Sequence, residues 1–334
     1  MPSPTRALAA LTTAVALSAL TSIGASAAQA AAPAKVVVTP AQALAVVGSV
    51  ARTLNKADLD YNTALQDTVE TGAARVADDG DFRISKLVGF PPYRPFSYVG
   101  TRIYLPRQTH YPARFLALTH GKSAGQPASK DTVALVFQRA SASSRWKLSA
   151  AVSFAPAAVP AITVGKDGYL PDLAPSTLAV TPKAMYPALL KAQGIAARGG
   201  KPSAAWAYNS LWRSRLSLPA AQAVDTHETF SSTHLAPICF ASKIGALCLT
   251  STKVVRLETS TAQELAAGVY WNVNSPDDRY SEGGVAQGRY SAIRTVAQRQ
   301  LAVVIPRKQA KTKLAVTAEN WSPISGRGTL VPFA

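Results

Sequence analysis

The chain has 334 residues, 48% of them hydrophobic, which excludes a disordered polypeptide and leaves room for two domains of ordinary size. Only 16% of residues are charged, yet Lys and Arg outnumber Asp and Glu 35 to 18, for a net charge of +17. Such a chain is drawn to anionic partners, but its basic residues are scattered, without the block of roughly five or six like charges that marks an interaction tail.

Met1 to Ala30 reads as a secretory signal peptide: Arg6 is the positive n-region, Leu8 to Ile23 the apolar run, and Ala28-Gln29-Ala30 the small-x-small cleavage site. Thr12, Thr13, Ser18, Thr21 and Ser22 interrupt the run, whereas a spanning helix wants ~20 mostly apolar residues. No Cys follows it, so a lipoprotein anchor is not expected, and no later segment reads as a membrane span. The expected mature chain begins near Ala31, is secreted or held at the cell surface, and carries +16 once Arg6 has gone. That address makes nucleic acid an unexpected partner.

Thr39 followed by Pro40 predicts a helix start, and Leu44, Val46, Val47, Val50 and Leu54 continue at helical spacing. A second helix is expected from about Ala57 to Val76, with Asp78-Asp79-Gly80-Asp81 as a turn. That turn lacks the alternating acidic ligands of a calcium loop. Strands follow at Ser97–Leu105, Arg114–Thr119, Asp131–Arg139 and Arg145–Phe154. Helices first and a meander afterwards predict an α+β fold, with N-terminal helices packed on a curved antiparallel sheet.

A Pro/Ala-rich linker occupies 156–202 and contains a short helix opened by Thr181-Pro182. A helix carrying Trp206, Leu211 and Trp212 comes next, then strands to the C-terminus, the last two at Gln300–Ile305 and Lys313–Ala318. The strings Tyr104-Leu105-Pro106-Arg107 and Val304-Ile305-Pro306-Arg307 echo one another. The expected organisation is therefore a signal peptide (1–30), an α+β domain (36–155), the linker (156–202) and a second α+β domain (203–334), two such domains in tandem.

Cys239 and Cys248 are the only cysteines, and in an oxidising compartment they are expected to pair. With Ser242-Lys243-Ile244-Gly245 as a four-residue hairpin loop and Gly245 at positive φ, the two cysteines face each other across the ladder. Ile238, Phe240, Leu247 and Leu249 then share the core face.

Val69-Glu70-Thr71-Gly72, Pro95-Phe96, Tyr104-Leu105-Pro106-Arg107, Tyr111-Pro112-Ala113-Arg114-Phe115, Phe137-Gln138-Arg139 and Trp146-Lys147-Leu148 occur in an order that resembles a family of uncharacterised actinobacterial exported proteins and lipoproteins. The resemblance implies a nuclear-transport-factor-like α+β cone for the first half and carries over no catalytic residue. Lipoprotein members have an anchoring Cys that this chain lacks.

No motif specifies a reaction. Gly121-Lys122-Ser123-Ala124-Gly125 matches a nucleophile elbow but is read as a hairpin loop, where the strand-to-helix turn is missing. Ser144 and Lys147 lack the partner motifs of penicillin-recognising enzymes. His110, His120, His227 and His234, with Glu228, do not form a His-Glu-x-x-His zinc motif. Asp58, Asp60, Asp67 and Glu70 could supply paired carboxylates if the fold brings them within the ~5–9 Å such chemistry needs. No catalytic residue, metal or cofactor is therefore expected. The leading binding set is aromatic and basic: Arg94, Arg102, Tyr104, Arg107, Tyr111 and Arg114, suited to anionic groups. The competing reading puts those aromatics in the core and the arginines in water. The expected function is non-enzymatic binding of an anionic envelope polymer or another envelope protein. The alternative is a small-molecule or catalytic pocket in the mouth of the cone.

Overall fold

The computed structural model describes residues 36–156, 158–207, 225–233, 236–268 and 270–331. The expected signal peptide, the Leu211 and Trp212 part of the expected helix, and His234 lie outside them. Helix α1 (Pro40–Asp58) starts where the sequence predicts. The Gln42 side chain accepts from the Thr39 N–H at 2.9 Å, and Thr39 Oγ1 accepts from the Gln42 N–H at 3.3 Å, a reciprocal cap. Ala43, Val47, Val50 and Leu54 form its buried stripe.

The expected second helix is two. Tyr61, at φ 54°, turns the chain after α1, and α2 (Thr63–Gln66) is a single turn capped by Asn62. Helix α3 (Gly72–Val88) then runs straight through Asp78-Asp79-Gly80-Asp81, which is helix and not a turn. The glycine there serves packing. A Cβ on Gly80 would lie 2.9 Å from the Pro323 carbonyl oxygen and 3.1 Å from Ile324 Cα, so the bare backbone lets α3 close onto a strand of the second half.

Strands β1 (Phe96–Tyr104), β2 (Ala113–Ser123), β3 (Thr132–Arg139) and β4 (Lys147–Phe154) form an antiparallel meander in that order. Period-two alternation splits their side chains between two cores. Phe115, Ala117, Leu135 and Phe137 pack with the α1 stripe, while Leu116, Leu118, Ala134 and Val136 face the other way. Register shifts in β1 (Val99 to Arg102) and at Val136/Phe137 bend the sheet.

After α4 (Pro182–Ala197, capped by Thr181) come β5 (Asp225–Ser232), β6 (Ile238–Ser242), β7 (Gly245–Thr259), α5 (Ala262–Ala266), β8 (Trp271–Val273), α6 (Pro276–Ser281), β9 (Gly288–Pro306) and β10 (Ala315–Leu330). The main order of this antiparallel sheet is β10-β9-β7-β5, with β6 on β7 and β8 on β9. Its last two strands are far longer than the sequence predicts. One face of it, including Leu301, Val303 and Ile305, packs on Met185 and Leu189 of α4. The other, with Leu247, Leu249, Ala302 and Val304, shares a single cluster with Leu116, Leu118 and Val136 of the first sheet. The layers thus run helix, sheet, sheet, helix. The two Pro-Arg strings close strands of different rank, β1 at an edge and β9 in the interior.

β4 would leave an open edge, a liability in any sheet. The second sheet seals it: Gln300 accepts from the Ala151 N–H at 3.0 Å, and Asn320 accepts from the Ser153 N–H and donates to the Ala151 carbonyl, both at 3.1 Å.

Cys239 and Cys248 are disulfide-bonded and directly opposite in the β6–β7 register, with Cα atoms 4.0 Å apart. The connection is tighter than expected, because Ser242 pairs with Gly245 and only Lys243 and Ile244 form the turn. Gly245 does take positive φ, 150°. Ile238, Phe240, Leu247 and Leu249 lie in the inter-sheet core, as their alternation predicts. Replacing both cysteines by Ala is expected to cost about 2–3 kcal/mol from loop closure, measured by urea unfolding. An unchanged midpoint would show that the hairpin is held by its ladder alone.

Candidate functional site: a carboxyl-lined cavity

A cavity of about 520 Å³ opens among α1, α3, β1 and the ends of β2 and β4. Leu54 and Asp58 reach it from α1, and Ala74, Asp78, Asp81 and Phe82 from successive turns of α3. The i, i+4 and i+7 spacing of Ala74, Asp78 and Asp81 is what a helical face requires. Phe96 and Tyr98 of β1 form an aromatic wall, Leu148 and Ala151 belong to β4, and Gln300 comes from β9. Tyr93, Arg94 and Ser123 complete the lining.

Glu70 is pinned by its backbone. Residues Val69–Thr71 pair with the start of β4 through Leu148 N–H to the Val69 carbonyl and Thr71 N–H to the Leu148 carbonyl, both 2.8 Å. The side chain is 1% exposed, and its Oε2 accepts from Gln66 Nε2 at 2.8 Å. Glu70 Oε1 has no N–H or hydroxyl donor from the protein. Its neighbour is the Asp78 carboxyl, and two carboxyls hydrogen-bond only by sharing a proton.

Burial is the main cause of the site's shifted titration. It pushes Glu70 up to about 7, and Asp58 up to about 6 with help from the Asp81 charge. Asp78 is raised well above its usual range by burial and by Glu70. Tyr98 is also raised, again first by burial. Shifts of this kind, at converging groups in a cleft, mark functional sites.

Asp81 is the structural member of the group. Tyr93 donates to its Oδ2 at 2.6 Å and contacts Ser85 at 3.0 Å, while Tyr280 of α6 donates to its Oδ1. Tyr61 stands behind them, with Phe82 and Tyr93 rings 5.5 and 5.9 Å away and its hydroxyl on the Phe90 and Pro91 carbonyls. The nearby cations are engaged elsewhere. Arg75 pairs with Asp67 at 2.5 Å and Asp79 at 3.4 Å, and Lys147 donates to the Asp67 carbonyl at 2.6 Å.

Of the four carboxylates weighed from sequence, Asp58 and Glu70 reach the cavity; Asp60 is exposed and Asp67 serves Arg75. Asp78 and Asp81 were hidden by the turn-like look of Asp-Asp-Gly-Asp. Their helical spacing from Ala74 was the signal that could have found them.

The aromatic and basic set does not share one cleft. Arg94 lies on the carboxyl cavity, whereas Arg107 pairs with Asp167, sits 5.1 Å over the Tyr169 ring and lines a separate loop pocket. Tyr104 is buried in the inter-sheet core, not displayed on the surface. Arg102 is exposed on β1, and Tyr111 lies under the Arg139 guanidinium at 5.7 Å. Arg114 is half-buried, and burial lowers its pKa. Ser123 is exposed at the end of β2, where Gly121 to Ser123 still pair with β1 and only Ala124 and Gly125 enter the turn. The Gly-x-Ser-x-Gly match thus straddles a strand end where the sequence predicts a loop, and no helix follows it. His120 contacts the Asp131 carbonyl at 3.0 Å. Among the described residues no three His, Cys, Asp or Glu side chains are grouped to hold a metal.

A second buried ionic group lies in the other sheet, and there every carboxylate faces an arginine. Arg256 faces Glu258 at 3.4 Å and Glu282 at 3.1 Å, while Arg299 faces Glu228 at 3.4 Å and Glu319 at 3.0 Å. Thr295 also donates to Glu282 at 2.8 Å. Burial and the Glu282 charge raise Glu258 to about 8. The first-half cavity has no such arginine at its floor among the described residues.

No curated protein and no solved structure matches the chain. No helix among the described residues is long and apolar enough to cross a membrane. One family model, described as Domain of unknown function (DUF8094), matches residues 34–319, which takes in the first sheet, the second up to the start of β10, and the carboxyl-lined cavity, and the chain belongs to that family.

Proposed function

We propose that this is an extracytoplasmic protein that binds a small molecule in the carboxyl-lined cavity of its first half. The observation that carries the reading is convergence: Asp58, Glu70 and Asp78, from three separate segments, meet in one cavity walled by Phe96 and Tyr98. Ligand pockets run roughly 300–1,000 Å³, apolar in the main with a few directed polar groups, and 520 Å³ falls in that range. Helices α1 and α3 against a bent four-stranded sheet also support the cone-like architecture, with the site at its mouth. The disulfide supports an oxidising compartment. To the +16 charge of the mature chain we assign a separate task, retention near anionic envelope polymers or another envelope protein through scattered arginines.

The test is direct. Protein recovered from its native source is denatured, and released small molecules are quantified by mass spectrometry beside an Ala151→Phe variant. Ala151 lines the cavity, and a phenyl ring there fills it while leaving the backbone bonds of β4 in place. The expected result is one compound near stoichiometry in the wild type and at least tenfold less in the variant. Equal recovery from both, or no compound in either, would sink the reading.

A further inference from the structure

We propose that the ligand of this cavity is an organic cation, a protonated amine with a short apolar body, held by Asp58, Glu70 and Asp78 with Phe96 and Tyr98 along its length. The proposal rests on the pocket reading above and adds the ligand's charge and shape.

Three observations carry it. First, acidic groups are gathered where basic groups are scarce, in a chain with about two cations for each anion. Asp58, Glu70, Asp78 and Asp81 all line the cavity, and among the described residues the one cationic side chain that does so is Arg94, which is exposed. Second, Glu70 is 99% buried and pinned by its backbone, with Oε1 lacking any N–H or hydroxyl donor. A buried carboxylate without donors is costly unless a cation or a proton completes it. An ammonium group brings up to three N–H donors and a charge, and so satisfies Glu70, Asp78 and Asp58 together. Third, the walls are aromatic. Aromatic side chains beside a carboxyl floor, Phe96 and Tyr98 set edge-to-face at 5.3 Å, suit an organic cation through cation–π attraction, and a bare metal ion would leave that wall unused. The carboxyls are also not grouped as metal ligands among the described residues. The other buried ionic group of the molecule makes the contrast: there each carboxylate already faces Arg256 or Arg299.

A consequence is that binding displaces the proton shared by Glu70 and Asp78. Around that pair stand Asp58 on α1, Asp79 and Asp81 on α3, Tyr98 on β1, Tyr93 and Arg94 in the preceding loop, and Tyr280 on α6. Beyond Arg94 the nearby cations are Arg75, held by Asp67 and Asp79, and Lys147, held by the Asp67 carbonyl. The other named ionisable neighbours are acidic, so each further loss of a proton favours the cation. Affinity should rise with pH.

Calorimetric titration of the whole protein with two matched triads tests this: benzylamine, benzyl alcohol and benzoate; 1,4-diaminobutane, 1,4-butanediol and succinate. At least one amine is expected to bind tenfold or more tighter than its neutral and anionic counterparts. Its affinity should increase at least tenfold from pH 5 to pH 8, with proton release read from the buffer dependence of the heat. Asp58→Asn and Asp78→Asn, checked for native folding by circular dichroism, should each weaken it at least tenfold. An alcohol binding as tightly as its amine would overturn the cation and leave the pocket standing. Preference for benzoate or succinate, tight binding of Ca²⁺ or Mg²⁺ alone, or no amine binding at millimolar concentration would overturn it too. The mass-spectrometric comparison judges the pocket separately, since it needs no assumption about charge.

Discussion

Glu70→Gln is expected to make the protein more stable than the wild type at pH 8, by about 2–3 kcal/mol, and to remove part of its pH dependence. The carboxyl titrates near its ordinary 4.5 in the unfolded chain and is pushed up to about 7 in the fold by burial. Between those values the folded chain keeps a proton that the unfolded chain has released. Stability therefore falls as pH rises through that window and levels off above it. One pK unit corresponds to about 1.4 kcal/mol, and the shared proton with Asp78 spreads the effect over the pair. The neutral amide has nothing to titrate. Gln66 can turn its own amide to accept from the new one, since its Oε1 now has no partner. Urea unfolding at pH 4.5, 6 and 8 reads the difference between variant and wild type. A difference that stays constant across the window would mean the carboxyl is not shifted. The same substitution should weaken amine binding, so stability gained and affinity lost would come from one atom.

Gly326→Ala is expected to cost more than about 4 kcal/mol, or to abolish soluble expression. A Cβ at this β10 position would lie 1.7 Å from the Glu282 carbonyl oxygen and 2.7 Å from Val285 Cγ2. Two backbones meet there, and no flexible side chain can yield. The segment that would have to move is held on every side. Glu282 binds Arg256 and Thr295, Arg279 donates to the Leu87 carbonyl at 3.1 Å, and Tyr280 reaches Asp81. Moving it breaks the tie between α6 and α3, and with it the support of the cavity. Losses this large need a named mechanism, and backbone overlap is one. Gly268→Ala is the control: its φ of 76° is strained for Ala, but nothing lies within 4 Å, so about 1–2 kcal/mol is expected. Thermal unfolding separates the two, and similar losses would refute the close approach.

Much of the architecture could be read from residues alone, because it follows from local rules. The cap at Thr39 and Pro40, the four strands of the meander, the start of α4 at Thr181 and the disulfide all come from short-range chemistry: donor and acceptor placement, period-two alternation and hairpin symmetry. The α+β class follows from their order. Tertiary structure decided the rest. Asp-Asp-Gly-Asp has the composition of a turn, and it is helical because α3 packs against β10 where only glycine fits. The lengths of β9 and β10 depend on partners distant in sequence, and so does the sealing of β4 by Gln300 and Asn320. The arginines looked like a cluster because they are close along the chain, but β1, β2 and the loops between them send them to different places. The carboxyls are spread from Asp58 to Asp81, and although helical spacing puts Asp78 and Asp81 on one face with Ala74, it does not bring Asp58 and Glu70 to them. Their meeting depends on the angle between α1 and α3 and on the bridge that pins Glu70 to β4. Alternation and capping act over a few residues and are legible in one dimension, whereas a cavity belongs to the packing of whole elements.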